Sequence, residues 1–435
     1  DHGAYLSSVD SVGTPGPPWP GAGPIVAPNP LQGNSASMAL SASVVASPPY
    51  LCYHTVMTDE RRMIDREGAP PSGDDGSALD VPRSLLAGVM EIYDVTAGGP
   101  HGRTVRVRGR FRIEPSTAYE RLRPWFRERG RTVMFRREEG VDVVLIVPGV
   151  IRPSPNNLWL PIVLAAVTVV SMLAAYVLFQ SGADLTREGI LGAVHEGWGF
   201  VVSLLAILVA HEFGHYFMAR RYGVAVTLPY LIPLPISPFG TMGAVIRMKD
   251  IPPSRRAMLL IGAAGPLAGL AVAIPVLLIG LSLSEVTPLP ASGYSIEGNS
   301  LLYAALKYLV FGRLLPSGGE DVFLHPVAFA GWAGLLVTSF NLIPAGQLDG
   351  GHIAYALLGR RTRYLNWAMI GVLLMMGFLW QGWFLWAFLV FIFSRARVSP
   401  MDDVSPLTPV GIVVAVSLLV LFVLTFTPVP LRIVM

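Results

Sequence analysis

The sequence predicts a mainly α protein, a polytopic membrane helical bundle of about six membrane elements that follows a small N-terminal α+β domain. The first reason is composition: 52% of the 435 residues are hydrophobic and 14% are charged, whereas roughly a quarter of a soluble globular chain is charged. The second is that several apolar stretches reach the length of about 20 residues that crosses a bilayer. We therefore expect an integral, multi-pass membrane protein, in the plasma membrane if the source is prokaryotic.

Composition divides the chain into three parts. Residues 1–80 are rich in Pro, Gly, Ser and Ala without a periodic apolar pattern, which predicts a disordered extension. Residues 81–152 read as a small basic domain, and residues 158–430 as the membrane region. The single cysteine, Cys52, excludes an internal disulfide framework and a zinc site built mainly from cysteine. Any metal is therefore expected on histidine and carboxylate ligands.

The basic domain alternates apolar and arginine side chains along Arg103–Ile113, which predicts a half-buried strand with one basic face. The other expected elements are a helix at Ser84–Tyr93, a helix that opens at Glu114 with a Thr117–Glu120 capping box and is kinked at Pro124, and strands at Thr132–Phe135 and Val141–Val147. An arginine-rich face can bind nucleic acid, but a cytoplasmic surface beside anionic lipid is the favoured interpretation, and no nucleic acid partner is expected.

The membrane region contains five stretches long enough to span, at 158–180, 196–219, 257–283, 326–346 and 409–428. The stretch Trp367–Phe393 is long for one span and short for two, and Gln381-Gly382 offers a turn near its middle. Arginines cluster beside the span ends, which places the basic domain in the cytoplasm and favours a re-entrant hairpin at 367–393.

One apolar stretch holds His211-Glu212-Phe213-Gly214-His215. Positions four apart share a helix face, so the two imidazoles can bind one ion while Glu212 reaches a water on that ion. This HExxH spacing is that of zinc hydrolases. The alternative is a pair of satisfied core histidines, but ionisable residues within an apolar helix are costly unless they have a function. The pattern therefore favours a metal site.

A catalytic zinc site needs a third protein ligand. The candidate lies in the polar cluster from Asn341 to His352, where Pro344 and several glycines break the helix and allow Asp349 to turn inward. His352, three residues further on, is the rival ligand, and Asp349 is preferred.

Between the second and third spans, residues 224–253 contain too many prolines for a regular helix. Gly243–Met248 is expected to form a short strand. Beside a metal-binding helix, such a strand can offer an edge to an extended peptide, and the alternative is an ordinary cytoplasmic loop.

Three motifs in this order resemble the site-2 proteases, the intramembrane zinc metalloproteases (peptidase M50-like): HEFGH at 211–215, GAAGPLAGL at 262–270 and NLIPAGQLDGG at 341–351. Further stretches, LPYLIPLP, FGTMGAVIRM and SRARVSPMDDVSPLTP, are most similar to the plant and cyanobacterial ethylene-dependent gravitropism-deficient branch. The resemblance is strong over about 200–360.

The resemblance implies hydrolysis of peptide bonds within or near transmembrane segments, in regulated intramembrane proteolysis. It implies one Zn²⁺ per chain held by His211, His215 and Asp349, with Glu212 as the catalytic base. Asn341 lies where the family is thought to steady the oxyanion, although a hydrogen bond between helices is an equal alternative for it. The expected partners are the lipid bilayer and membrane proteins with an unwindable transmembrane segment, which the 243–248 strand would hold.

Two other functions fit the same residues. A membrane metal-ion transporter also needs His and Asp within spans, and an inactive relative would bind membrane helices without cutting them. Glu212 separates the first from a protease, because a transporter tolerates its replacement by glutamine and a hydrolase does not.

Overall fold

The computed structural model describes residues 83–98, 104–151, 157–180, 186–290, 294–395 and 399–434. The extension expected at 1–80 lies outside these residues. Where the structure is described, a small four-stranded sheet domain comes first and a set of packed helices follows.

The N-terminal domain is an antiparallel sheet with a hydrophobic core between the sheet and one long helix. Its strands lie in the order β1-β2-β4-β3. Its elements are helix α1 (Arg83–Ala87), strands β1 (Met90–Gly98) and β2 (Thr104–Phe111), helix α2 (Pro115–Glu128), and strands β3 (Arg131–Glu138) and β4 (Val141–Pro148). The expected alternation in β2 is confirmed, because Val105 and Val107 are buried while the arginines between and after them are partly exposed.

The helix expected at Ser84–Tyr93 is wrong beyond Ala87. The chain turns at Gly88 and enters β1 at Met90, where Ile92, Val95 and Thr96 supply residues that favour strands. Pairing of β1 with β2 decides the outcome, since it satisfies backbone groups that a short helix would leave to solvent.

Helix α2 also differs from expectation in its start and its continuity. Pro115 occupies the first turn and Glu114 precedes the helix without a side-chain cap, so the Thr117–Glu120 capping box does not form. The helix continues through Pro124, which leaves the carbonyl of Glu120 without its usual donor. Both residues are exposed, so water can satisfy that carbonyl.

Among the described helices, three are long and apolar enough to cross a membrane: α3 (Trp159–Phe179), α4 (Arg187–Arg221) and α5 (Arg255–Ser282). The remaining helices are α6 (Leu301–Phe311), α7 (Pro326–Asn341), α8 (Asp349–Leu358), α9 (Thr362–Met376), α10 (Gly382–Phe393) and α11 (Pro409–Thr425). The span expected at 326–346 is shorter as a helix, because α7 ends at Asn341, before Pro344. The count of about six membrane elements remains a prediction.

The stretch 367–393 lies in a helical hairpin made by α9 and α10. The chain turns at 377–381, and the rings of Trp367 and Phe391 lie 6.1 Å apart, so the two helices run antiparallel. The turn expected near Gln381 is confirmed; its re-entry into a membrane stays a prediction.

Between α4 and α5, strands β5 (Tyr230–Pro233) and β6 (Thr241–Val245) form an antiparallel hairpin. The expected strand at Gly243–Met248 therefore begins and ends earlier, and Met248 makes an isolated bridge to Val226. The hairpin is fixed to α3, because the Ser171 hydroxyl donates to the Gly240 carbonyl at 2.6 Å.

Two further strand pairs were not expected from the sequence. Strands β7 (Glu285–Pro288) and β9 (Glu320–Phe323) pair with each other, as do β8 (Tyr294–Glu297) and β10 (Leu431–Val434). Each strand has four residues, too few for a period of two to stand out in the sequence.

Candidate active site

His211 and His215 lie one turn apart on the buried side of α4. Each side chain is less than a tenth exposed, and the two Nε2 atoms are 3.1 Å apart. The spacing of four residues on a helix produces this arrangement, as the sequence predicts.

Asp349 is the first residue of α8 and reaches the same point. Its Oδ2 lies 3.2 Å from Nε2 of His211 and 3.1 Å from Nε2 of His215. The following glycines allow this approach, because a Cβ on Gly350 would meet the Leu342 carbonyl oxygen at 2.1 Å. The helix N-terminus also favours a negative charge at this position.

The three side chains fit a zinc ion. Bonds of about 2.0–2.1 Å in a tetrahedral site place ligand atoms about 3.3 Å apart, and the three observed separations are 3.1, 3.1 and 3.2 Å. They form the group of His, Cys, Asp and Glu side chains suited to a metal in the described part of the chain. Two histidines and one carboxylate leave a fourth position open, as in catalytic zinc sites.

A second contact fixes the ring of His215. Its Nδ1 lies 2.7 Å from the carbonyl oxygen of Ile261 on α5, so Nδ1 carries the proton and donates it to that oxygen. The lone pair of Nε2 is then directed at the cluster. A carbonyl on the neighbouring helix thus selects the tautomer that binds metal.

Glycines on α5 create the space for both imidazoles. A Cβ on Gly265 would lie 2.0 Å from Nε2 of His215, and one on Gly269 would lie 3.2 Å from Nδ1 of His211. Gly262, on the same side of α5, faces the backbone of Asp349. The role of these glycines was not predicted from the sequence, although their spacing of three and four residues indicates one helix face.

Glu212 and Asn341 lie beside the three ligands. The backbone N–H of Ile246, just after β6, donates to the buried Glu212 carboxylate. Asn341 ends α7, and its Nδ2 is 3.3 Å from Nε2 of His211. The structure thus brings together all five residues that the sequence selects. The contact from Ile246 is a backbone contact, which a side-chain pattern does not reveal.

His352, the rival third ligand, is not in the metal-binding group. His352 lies on α8 and faces α5. A Cβ added to Gly262 of α5 would lie 3.3 Å from the Cβ of His352. The geometry therefore favours Asp349.

Comparison with known proteins agrees with the motifs. Residues 199–380 match the model of Peptidase family M50. This stretch includes both histidines, Glu212, Asn341 and Asp349.

The chain is similar to three Arabidopsis thaliana proteins. It is 28% identical to "Probable zinc metalloprotease EGY2, chloroplastic" over 79% of this chain and 63% of that one. It is 31% identical to "Probable zinc metalloprotease EGY1, chloroplastic" over 52% and 42%, and 29% identical to "Probable zinc metallopeptidase EGY3, chloroplastic" over 48% and 38%. The matches thus span at most 63% of the length of these relatives. No solved structure matches the chain.

Proposed function

We propose, from the match of residues 199–380 to the model of Peptidase family M50, that this protein is a zinc metalloprotease that hydrolyses peptide bonds within or next to membrane-spanning segments of other proteins. The observation that carries the proposal is the placement of Glu212 beside a His211–His215–Asp349 cluster of tetrahedral dimensions, with both histidines and Glu212 on α4, a helix of membrane-spanning length.

The three ligands would hold one zinc ion. When bound, zinc supplies a water of lowered pKa and polarises the scissile carbonyl. His211 and His215 contribute neutral nitrogen lone pairs and Asp349 contributes the negative charge. The Ile261 carbonyl keeps His215 in the required tautomer.

Glu212 would accept the proton of the attacking water and return it to the leaving amine. It is 5% exposed, so its carboxylate is shielded from bulk water. The Ile246 N–H orients the carboxylate. The Asn341 amide, which lies next to His211, would donate to the oxyanion of the tetrahedral intermediate.

The β5–β6 hairpin supplies a place for an unwound substrate. β6 pairs with β5 along one edge, and its other edge has no strand partner in the described chain. An extended peptide can add to such an edge through main-chain hydrogen bonds. Because Ile246 follows β6 directly and contacts Glu212, a peptide bound along this edge would lie next to the catalytic base.

A membrane location follows from α3, α4 and α5 and from apolar side chains that face outward. Trp159 is 72% exposed, and Val170 on α3 and Val413 on α11 are more than 60% exposed. In water such side chains would be costly, whereas hydrocarbon accommodates them. We further propose that the chain crosses the membrane several times, with the basic N-terminal domain in the cytoplasm and membrane proteins as substrates.

The proposal is tested by metal content and by cleavage of a transmembrane-helix reporter in detergent micelles, for wild type, Glu212→Gln and Glu188→Gln. Glu188 lies in the first turn of the same helix, far from the histidines in sequence, and serves as the matched control. We expect one zinc per chain in all three proteins and cleavage by wild type and Glu188→Gln.

Full cleavage by Glu212→Gln would refute the assigned base. A wild-type protein without zinc would refute the metal site. Zinc flux through vesicles carrying either variant would instead support the transporter, which the names of the relatives do not favour.

A further inference from the structure

Residues 399–405, which we call the linking segment, lie in the connection between α10 and α11 and are buried from Pro400 onward. Asp402 is 1% exposed and Asp403 is 5% exposed, and Met401 and Val404 belong to the hydrophobic core of the N-terminal domain. Two adjacent buried carboxylates in a connecting loop are unusual, since charges are buried only when they are paired or hydrogen-bonded.

On one side, the linking segment extends the sheet of the N-terminal domain. It runs parallel to the edge strand β3: the Phe135 N–H donates to the Met401 carbonyl at 2.8 Å, and the Asp403 N–H donates to the Phe135 carbonyl at 3.2 Å. The buried Arg136 guanidinium also donates to the Pro400 carbonyl at 2.8 Å. The domain thus holds the segment through backbone and side-chain bonds.

On its other side, the linking segment pairs with the residues that lead into α5. The Met401 N–H donates to the Pro252 carbonyl at 2.9 Å and the Asp402 N–H to the Pro253 carbonyl at 3.0 Å. The linking segment therefore makes isolated β-bridges to both the N-terminal domain and the start of α5, the helix that carries the three glycines of the metal site.

The carboxylate of Asp403 then joins α5 to α8. Its Oδ1 accepts from Nε of Arg255, the first residue of α5, at 2.8 Å, and its Oδ2 accepts from the Tyr355 hydroxyl at 3.0 Å. Tyr355 lies on α8, six residues after Asp349. Helix α8 is thus linked to α5 at two places: Asp349 lies at Gly262, and Tyr355 is joined to Arg255 through the Asp403 carboxylate.

We propose that the linking segment positions the third metal ligand, with Asp403 and Tyr355 as positioning residues, and that docking of the N-terminal domain sets this position. The reason is mechanical. Ile353 and Ala356 of the ten-residue helix α8 share a buried apolar cluster with Leu259 and Ala263 of α5, and the hydrogen bond from Tyr355 to Asp403 adds a directional constraint on the rotation of α8. Metal sites tolerate ligand displacements of only about 0.2 Å, so a small rotation moves Asp349 out of range. This inference rests on the proposed metal site.

The experiment measures Co²⁺ affinity, by competition with a chelator, and the visible absorption spectrum of the Co²⁺-bound full-length protein, which reports ligand geometry. Tyr355→Phe removes only the hydroxyl that bonds Asp403. Tyr303→Phe is the matched control. The Tyr303 hydroxyl also donates to a buried carboxylate, that of Glu297, at 2.9 Å, but Tyr303 lies on α6 and not on α8. Arg136→Gln tests the contribution of the domain, since it removes the bond to Pro400 outside the metal site.

We expect Tyr355→Phe and Arg136→Gln each to weaken Co²⁺ binding about tenfold, the low end of the range for residues behind metal ligands, and to shift the spectrum. Tyr303→Phe is expected to retain wild-type affinity and spectrum. Wild-type affinity and spectrum in Tyr355→Phe would overturn the positioning role, and the same result in Arg136→Gln would overturn the role of the domain.

Equal weakening by Tyr303→Phe would also overturn the inference, because the effect would then be general loosening of the fold. Where Arg136→Gln does not fold, Asp403→Asn still tests the positioning role, because it replaces the carboxylate that joins Arg255 to Tyr355, and unchanged Co²⁺ affinity and spectrum in that variant would overturn this role. Failure of the wild-type protein to bind Co²⁺ would refute the proposed function itself.

Discussion

Replacing Gly265 with alanine places a methyl carbon where the metal cluster has no room for one. The new Cβ would lie 2.0 Å from Nε2 of His215, the atom directed at the other two ligands. Because Gly265 is within α5 and His215 within α4, the clash is between two helices that are packed along their length.

The size of the displacement follows from the geometry. Ordinary van der Waals contact begins at 3.4 Å, so the pair must separate by 1.4 Å. Metal–ligand distances tolerate only about 0.2 Å, so either His215 or the whole of α5 leaves its place. We expect zinc affinity to fall by about 100-fold or more, the upper end of the range for changes next to metal ligands. Alanine favours the helix itself by about 0.5–1 kcal/mol, which offsets part of the cost of the clash, so a folding measurement must accompany the metal measurement.

The assay is zinc per chain after dialysis against a series of chelator concentrations, with helicity measured by circular dichroism. Gly192→Ala is the control on α4, because nothing lies within 4 Å of its added Cβ. Gly269→Ala is the intermediate case, with its Cβ 3.2 Å from Nδ1 of His211. We expect metal loss to increase in the order Gly192→Ala, Gly269→Ala, Gly265→Ala, and wild-type zinc affinity in Gly265→Ala would refute the steric explanation.

Three further predictions follow from the same contacts. Asp349→Ala should lose its zinc and His352→Ala should keep it, as measured by metal content; the opposite result would reassign the third ligand. Asn341→Ala should lower kcat about 10²- to 10³-fold, as removal of an oxyanion donor does, with zinc content unchanged; a loss of zinc instead would indicate a structural role. Burial raises the pKa of Asp250, which lies outside the spans. The contribution of its carboxyl group to folding stability is therefore full below the pKa of the unfolded state and is lost as the pH rises through the pKa of the folded state. Asp250→Asn should therefore raise the melting temperature more at pH 7 than at pH 4, and an equal change at both would contradict the sign.

The sequence predicts elements well where one period dominates. The strand β2 is predicted from its alternating pattern, and the helices α3, α4 and α5 are predicted from the length of their apolar stretches. Each of these patterns extends over many residues. The helix expected at Ser84–Tyr93 fails because strand pairing with β2, which lies beyond the local window, outweighs local preference. The same holds for the linking segment, whose pairing with β3 joins residues more than 260 positions apart.

At the site itself, the sequence alone does not decide between Asp349 and His352 as the third ligand. Residues three apart on a helix lie on nearly the same face, so periodicity cannot separate these two candidates. What separates them is the packing of α8, whose Gly350 closely approaches the Leu342 carbonyl just after the end of α7. That approach places the first turn of α8 at the imidazoles and directs His352 to Gly262, one turn of α5 before Gly265. The proposed identity of the third ligand therefore depends on helix packing, and the glycines around Asp349 leave the room that this packing needs.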